Sequence, residues 1–126
     1  MKIGRFTKLA EKMVLDIPEA FLRGLNGGIV VVEEAKPDPE IDGVYILGEY
    51  IEDPFGLGRF IVIYHGSFAA LYSREPETVW KEELWATLLH EIQHHLEALA
   101  GVDDLDREDA RILAEFKSWS RQEHRE

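Results

Sequence analysis

Apolar side chains recur at three- and four-residue steps over residues 6–16 (Phe6, Leu9, Ala10, Met13, Val14) and on to Ile17. This period predicts an amphipathic helix. Pro18 interrupts it, and Pro18 to Leu25 reads as a second short helix with proline near its start. Asn26-Gly27-Gly28 marks a turn. The β-branched run Ile29-Val30-Val31-Val32-Glu33 predicts a buried strand. Residues 35–43, with Pro37 and Pro39, read as a loop. Val44 to Ile51 reads as a second strand, weakened by Gly48. A turn from Pro54 to Gly58 leads into Arg59–His65, the clearest strand in the chain. Ser67 to Tyr72 fits either a continued strand or a helix. After Pro76 the period is helical to Ala100, and Gly101 is the expected C-cap, because glycine enters the left-handed conformation without strain. The acidic stretch Asp103 to Asp109 suits the first turn of a last helix ending at about residue 122. Helix, three strands and two further helices predict an α+β fold, with a small three- to four-stranded sheet packed with helices.

The chain has 126 residues, a length that fits a single domain over 1–126. Its formal net charge of −11 argues against nucleic-acid and membrane partners, which call for a basic face. There are no cysteines, so a metal would have to be held by imidazole and carboxylate rather than thiolate. The basic N-terminus is not followed by an apolar signal-peptide core, and no stretch is long enough to span a bilayer. A cytoplasmic location is the default expectation.

The chemistry concentrates at His90-Glu91-Ile92-Gln93-His94, an H-E-x-x-H motif inside the long predicted helix. Residues four apart stand one above the other, about 6 Å along the axis, so both imidazoles can reach one metal ion. Glu91 lies about 100° round the helix from His90, off the ligand line but close enough to hold a water beside the metal. The motif divides the work: a metal acidifies water and a carboxylate takes its proton. With His90 at zero on the helical wheel, Leu84, Trp85, Leu88, Leu89, Ile92, Leu96 and Leu99 cluster between about 120° and 260°. The two histidines therefore look out over a different, polar face, with Glu83, Thr87 and Glu97. The same pattern would arise from the solvent side of an ordinary amphipathic helix. His95 falls at the edge of the apolar stripe and reads as a packed histidine rather than a ligand.

The segment His90 to Leu105 resembles the minimal zincin-like metallopeptidases, whose pattern is H-E-x-x-H-x-x-G-x-x-D. The short helix near Ile17–Leu25, the strand Ile29–Glu33, the Leu47-Gly48-Glu49-Tyr50 segment and the strand Arg59–His65 follow that family's order. The resemblance implies a zincin-like fold with the H-E-x-x-H helix near the C-terminus. It also implies zinc-dependent peptide hydrolysis, with His90 and His94 as metal ligands and Glu91 as catalytic base. The chain then departs from the pattern: Glu97 and Ala100 occupy the glycine and aspartate positions. One extra helical turn restores the match at Gly101-Val102-Asp103-Asp104 and makes Asp104 the candidate third ligand. Reaching the metal requires a tight fold-back at Gly101, since that residue lies about 13.5 Å along the axis from the level of the ion. An N-cap of the last helix is the competing role for Asp104, and Glu97, on the metal face, is the rival ligand. Two other classes stay open: a non-catalytic metal-binding or protein-interaction domain, and a metal-free adaptor. As a peptidase, the protein would take an extended peptide or protein substrate along an exposed strand edge.

Overall fold

A computed structural model of the chain describes residues 1–53, 55, 58–102 and 107–123. The chain opens with helix α1 (Ile3–Leu15), which buries Phe6 and Ala10 as its apolar spacing requires. Pro18 ends the helical path, and Glu19–Leu22 forms one 3-10 turn that drives Phe21 into the core. Strand β1 (Gly28–Val32) follows, then the two-residue strands β2 (Lys36–Pro37) and β3 (Tyr45–Ile46). Next come β4 (Gly48–Glu52), β5 (Arg59–Tyr64) and three helices: α2 (His65–Tyr72), α3 (Glu77–Val102) and α4 (Arg107–Glu123). No helix among the described residues is long and apolar enough to cross a membrane.

Strand β5 is the centre of a three-stranded sheet, parallel to β1 and antiparallel to β4. Its sequence explains that position: Ile61 to Tyr64 are all buried, as a strand covered on both faces requires. The two-stranded sheet β2–β3 is separate. The chain therefore builds the expected α+β architecture with three refinements. Val44–Ile51 breaks into β3 and β4 at Leu47, whose carbonyl accepts from the Tyr64 amide at 2.9 Å. The Pro37 loop contributes a short strand, with Pro37 paired to Tyr45. The strand Arg59–His65 stops one residue early, and His65 begins α2. There its Nε2 meets the Met1 carbonyl at 2.8 Å, and its ring packs edge-on against Phe6. Gly66 makes that corner possible. A Cβ there would lie 2.4 Å from the Ala35 amide nitrogen and 2.6 Å from the Glu33 carbonyl oxygen, both backbone.

Helix α3 packs on the sheet through the predicted stripe. Leu84, Leu88, Leu89, Ile92 and Leu96 are buried, and Trp85 and Leu99 pack against them from partly buried positions. Trp80 is buried and donates its indole N–H to the Tyr72 carbonyl at 2.7 Å. Trp119 of α4 meets Phe21, Trp85 and Phe116, which seals that end of the core. One expectation fails: α3 does not end at Gly101. The helix runs through Val102, and Gly101 is not among the glycines with positive φ. Glycine permits a left-handed stop but does not impose one.

Candidate metal centre

The motif lies in the third quarter of α3, on the face turned away from the leucine stripe. His90 and His94 are exposed, and Glu91 is buried. The two imidazole rings stand 4.3 Å apart, one above the other as four-residue spacing dictates. One potential ligand atom each from His90, Glu91 and His94 can be chosen so that all three lie within 4.8 Å of one another. Donors around a tetrahedral zinc stand about 3.4 Å apart, close enough to these separations for the two imidazoles to share one ion with Glu91 beside it. Two imidazoles open to solvent, with a carboxylate beside them, suit zinc. Glu97, the rival ligand, is exposed on α3 and is not part of this cluster. Asp104, the candidate third ligand, lies outside the described residues.

Glu91 is held by a strand as well as by its own helix. Its Oε1 accepts from the Tyr50 amide of β4 at 3.0 Å and lies 3.2 Å from Nδ1 of His94. The second contact engages Nδ1 of His94 and leaves Nε2 as its ring nitrogen for a metal. Burial pushes the Glu91 carboxyl above the ordinary glutamate range, against the opposing pull of the two histidines and the Tyr50 amide. A carboxylate raised in this way is a better proton acceptor near neutral pH.

The register of β4 explains why Tyr50 is available. Tyr64 donates to Leu47, so alternate residues from Leu47 turn their main-chain groups toward β5, and Gly48, Tyr50 and Glu52 turn theirs outward. Gly48 sits close against the helix. A Cβ there would come within 2.9 Å of the Thr87 methyl carbon and 3.1 Å of Ile63 Cδ1. Beside this contact an open cleft of about 410 Å³ is lined by Tyr45, Leu47, Gly48, Ala86, Thr87, His90 and Glu91. Sequence reasoning misses Tyr50 and the strand wall of the cleft. In the sequence Gly48 reads as a weakness in a strand and as part of the Leu47-Gly48-Glu49-Tyr50 segment of the resemblance, and neither says which helix residue it will face. Tyr64 and Tyr72 serve elsewhere: Tyr64 donates to Glu49 at 2.6 Å, and Tyr72 packs on Phe68.

His95 is the packed histidine its wheel position predicts. It is fully buried, and Nε2 donates to the Arg23 carbonyl at 2.8 Å. A carbonyl only accepts, so Nε2 carries the proton and Nδ1 faces the Tyr50 hydroxyl at 3.3 Å. Burial lowers its pKa and keeps the ring neutral near neutral pH. Tyr50 thus touches α3 twice, through its amide at Glu91 and through its phenol at His95.

A comparison with the curated proteins finds no match. Among solved structures, a conserved hypothetical protein from Thermo thermophilus is 43% identical, with a TM-score of 0.72. The match covers 81% of this chain and all of that one. Residues 27–113 match the family model for zincin-like metallopeptidases, a span that takes in both walls of the cleft and the whole H-E-x-x-H motif. The chain belongs to the zincin-like metallopeptidase family.

Proposed function

We propose that this protein is a zinc-dependent peptidase in which His90 and His94 hold the metal, Asp104 completes the ligand set and Glu91 is the general base. The observation that supports this reading best is the buried Glu91 carboxylate beside two exposed imidazoles, with their donor atoms within 4.8 Å. Zinc, when bound, supplies the Lewis acidity that brings a water toward ionisation near pH 7 and polarises a scissile carbonyl. Glu91 takes the proton from the attacking water and delivers it to the leaving amine. The Tyr50 amide fixes the carboxylate through Oε1 and leaves Oε2 for the proton transfer. The outward main-chain groups of Gly48 offer an extended peptide a place to pair, with its side chains over Tyr45, Leu47 and Ala86. The substrate is thus a peptide or protein segment in extended conformation.

The test is Glu91→Gln, assayed for zinc content and for cleavage of an unstructured peptide library. Zinc stoichiometry is expected to hold while cleavage disappears. Equal cleavage by both forms would refute the role of Glu91. No cleavage by either form, with zinc bound, would favour a non-catalytic metal-binding domain.

A further inference from the structure

A second cleft lies on the opposite side of α3 from the histidines. It is formed by Lys2, Ile3, Gly4, Arg5, Lys8, Leu9 and Lys12 of the α1 segment together with Lys81 of α3, and encloses about 780 Å³. Lys81 is nine residues before His90, which places it about 180° round the helix and about 13.5 Å along it. The composition of this cleft is unlike that of the molecule. The chain carries a net charge of −11, yet five of its 14 lysines and arginines line this one groove, with Glu77 beside them as the partner of Arg5 and within the field of Lys81. Arg5 is spoken for, since it holds Glu77 through two bonds of 2.7 and 2.6 Å. Lys2, Lys8, Lys12 and Lys81 are exposed and form no salt bridge among the described residues.

A second observation concerns shape. Gly4 lies in the first turn of α1, where alanine would favour the helix. A Cβ there would meet nothing within 4 Å, so no contact inside the protein calls for glycine. It does leave the groove wall bare, so that another backbone can approach closely. Ile3 and Leu9, both partly buried, add an apolar floor.

We propose that this groove docks an acidic amphipathic helix of a partner protein. Such a helix would lie along α1 with its apolar residues on Ile3, Gly4 and Leu9, and its carboxylates on the four lysines. Lys2, Arg5, Lys8 and Lys12 rise along α1 in steps of about 4.5 to 6 Å, the spacing of carboxylates three and four residues apart on a helix alongside. A bilayer is flat and does not fill a groove. A duplex would bring phosphates onto an apolar floor and meet the repulsion of the whole acidic molecule. The surface is separate from the candidate metal centre, so occupation of one leaves the other open.

The experiment uses the full chain and a fluorescein-labelled, hydrocarbon-stapled helix of Leu and Glu at three- and four-residue spacing, with a Gln-for-Glu helix as control. Anisotropy titrations are expected to show saturable binding of the Glu helix that weakens as salt is raised from about 50 to 200 mM. The control helix should not bind. The double variant Lys8→Glu, Lys12→Glu should weaken binding by at least about tenfold. Gly4→Leu should also weaken it, with an unchanged or higher melting temperature, because the new side chain blocks approach without disturbing the interior. Lack of saturable binding by the unmodified protein overturns the proposal. So does equal binding of the control helix, or binding insensitive to both variants. Capture of duplex DNA or phosphatidylserine vesicles, or self-association at high concentration, abolished by the same charge reversals in place of helix binding, assigns the groove to a different occupant and overturns it as well.

Discussion

Helix α3 extends through Val102, ten residues beyond the level of Ile92, where a metal shared by His90 and His94 would sit. That is about 15 Å along the axis. Two extended residues beyond Val102 return at most about 7 Å. The remaining distance of about 8 Å exceeds what one aspartate side chain and a bond of about 2 Å can span. Asp104 can therefore close the site only if α3 gives up its last turn, and Gly101 is where it yields most easily. Gly101→Ala puts numbers on this step. A Cβ at Gly101 meets nothing within 4 Å among the described residues, so alanine is tolerated and favours the intact helix by about 0.5–1 kcal/mol. In a zinc-bound form whose helix stops with residue 101 left-handed, alanine costs about 1–2 kcal/mol more. Together they predict a zinc Kd raised roughly ten- to a hundredfold, while the metal-free protein gains about 2–4 °C in Tm. Chelator competition for zinc and thermal melts in its absence provide both readings. Asp104→Ala should weaken zinc by at least about tenfold, the lower end for losing even an outer partner of a metal ligand. If Gly101→Ala and Asp104→Ala both leave the Kd unchanged, the unwinding argument is wrong. Loss on Glu97→Ala would then give the third position to the helix itself.

Gly48→Ala is expected to destabilise the protein by about 1–2 kcal/mol, because its Cβ would press on the Thr87 methyl carbon at 2.9 Å. Thr87→Ser removes that methyl and keeps the hydroxyl's bond to the Glu83 carbonyl, so in the double variant part of the loss should return; additivity within about 0.5 kcal/mol in urea melts would refute the contact. Tyr50 has its phenol pKa pushed up to about 12, first by burial and then by the Glu52 carboxylate that accepts its proton at 3.1 Å. The folded value lies above the unfolded one of about 10, so this stabilisation is complete below pH 10 and disappears as pH rises through about 12. Tyrosinate absorbance should accordingly show a late-titrating group that Tyr50→Phe removes; an unchanged titration curve in that variant would refute the assignment.

The parts of this molecule legible in its sequence are those with a strong period. The stripe from Leu84 to Leu99 places α3 and its face, and with them His90, Glu91 and His94, because a helix turns a spacing in sequence into a direction in space. The run Ile61–Tyr64 likewise announces the central strand. Elements without a period are harder to read. Residues 67–72 are an apolar mixture that fits strand or helix, and the tertiary contacts of Phe68 with Phe6 and Trp80 support the helix. The end of α3 departs from expectation for a related reason: among the described residues nothing stands within 4 Å of a Cβ at Gly101, so the sequence signal marks a place that can break and not one that has broken. The cleft is invisible in the sequence for a different reason. It exists because Gly48 and Thr87, far apart along the chain, meet across a strand and a helix, and no local pattern encodes that meeting.

This meeting determines how the site is built. The helix alone gives two imidazoles a common direction but leaves Glu91 about 100° away, at the border of the buried face. What turns it into a partner for the histidines is the outward amide of Tyr50, and that amide faces α3 because the pairing of β4 with β5 directs alternate residues outward. A one-residue slip of β4 would turn this amide toward β5 and present Glu49 or Ile51 to the helix. Two features oppose such a slip. Glu49, on the other face, bonds Lys36 and Tyr64 and ties the strand to β2. Only glycine fits opposite Thr87, and a slip would bring the Cβ of Leu47 or Glu49 against it. The position of the proposed base thus depends on strand register as much as on the motif, and a variant that shifts β4 should impair turnover even with His90, Glu91 and His94 all in place.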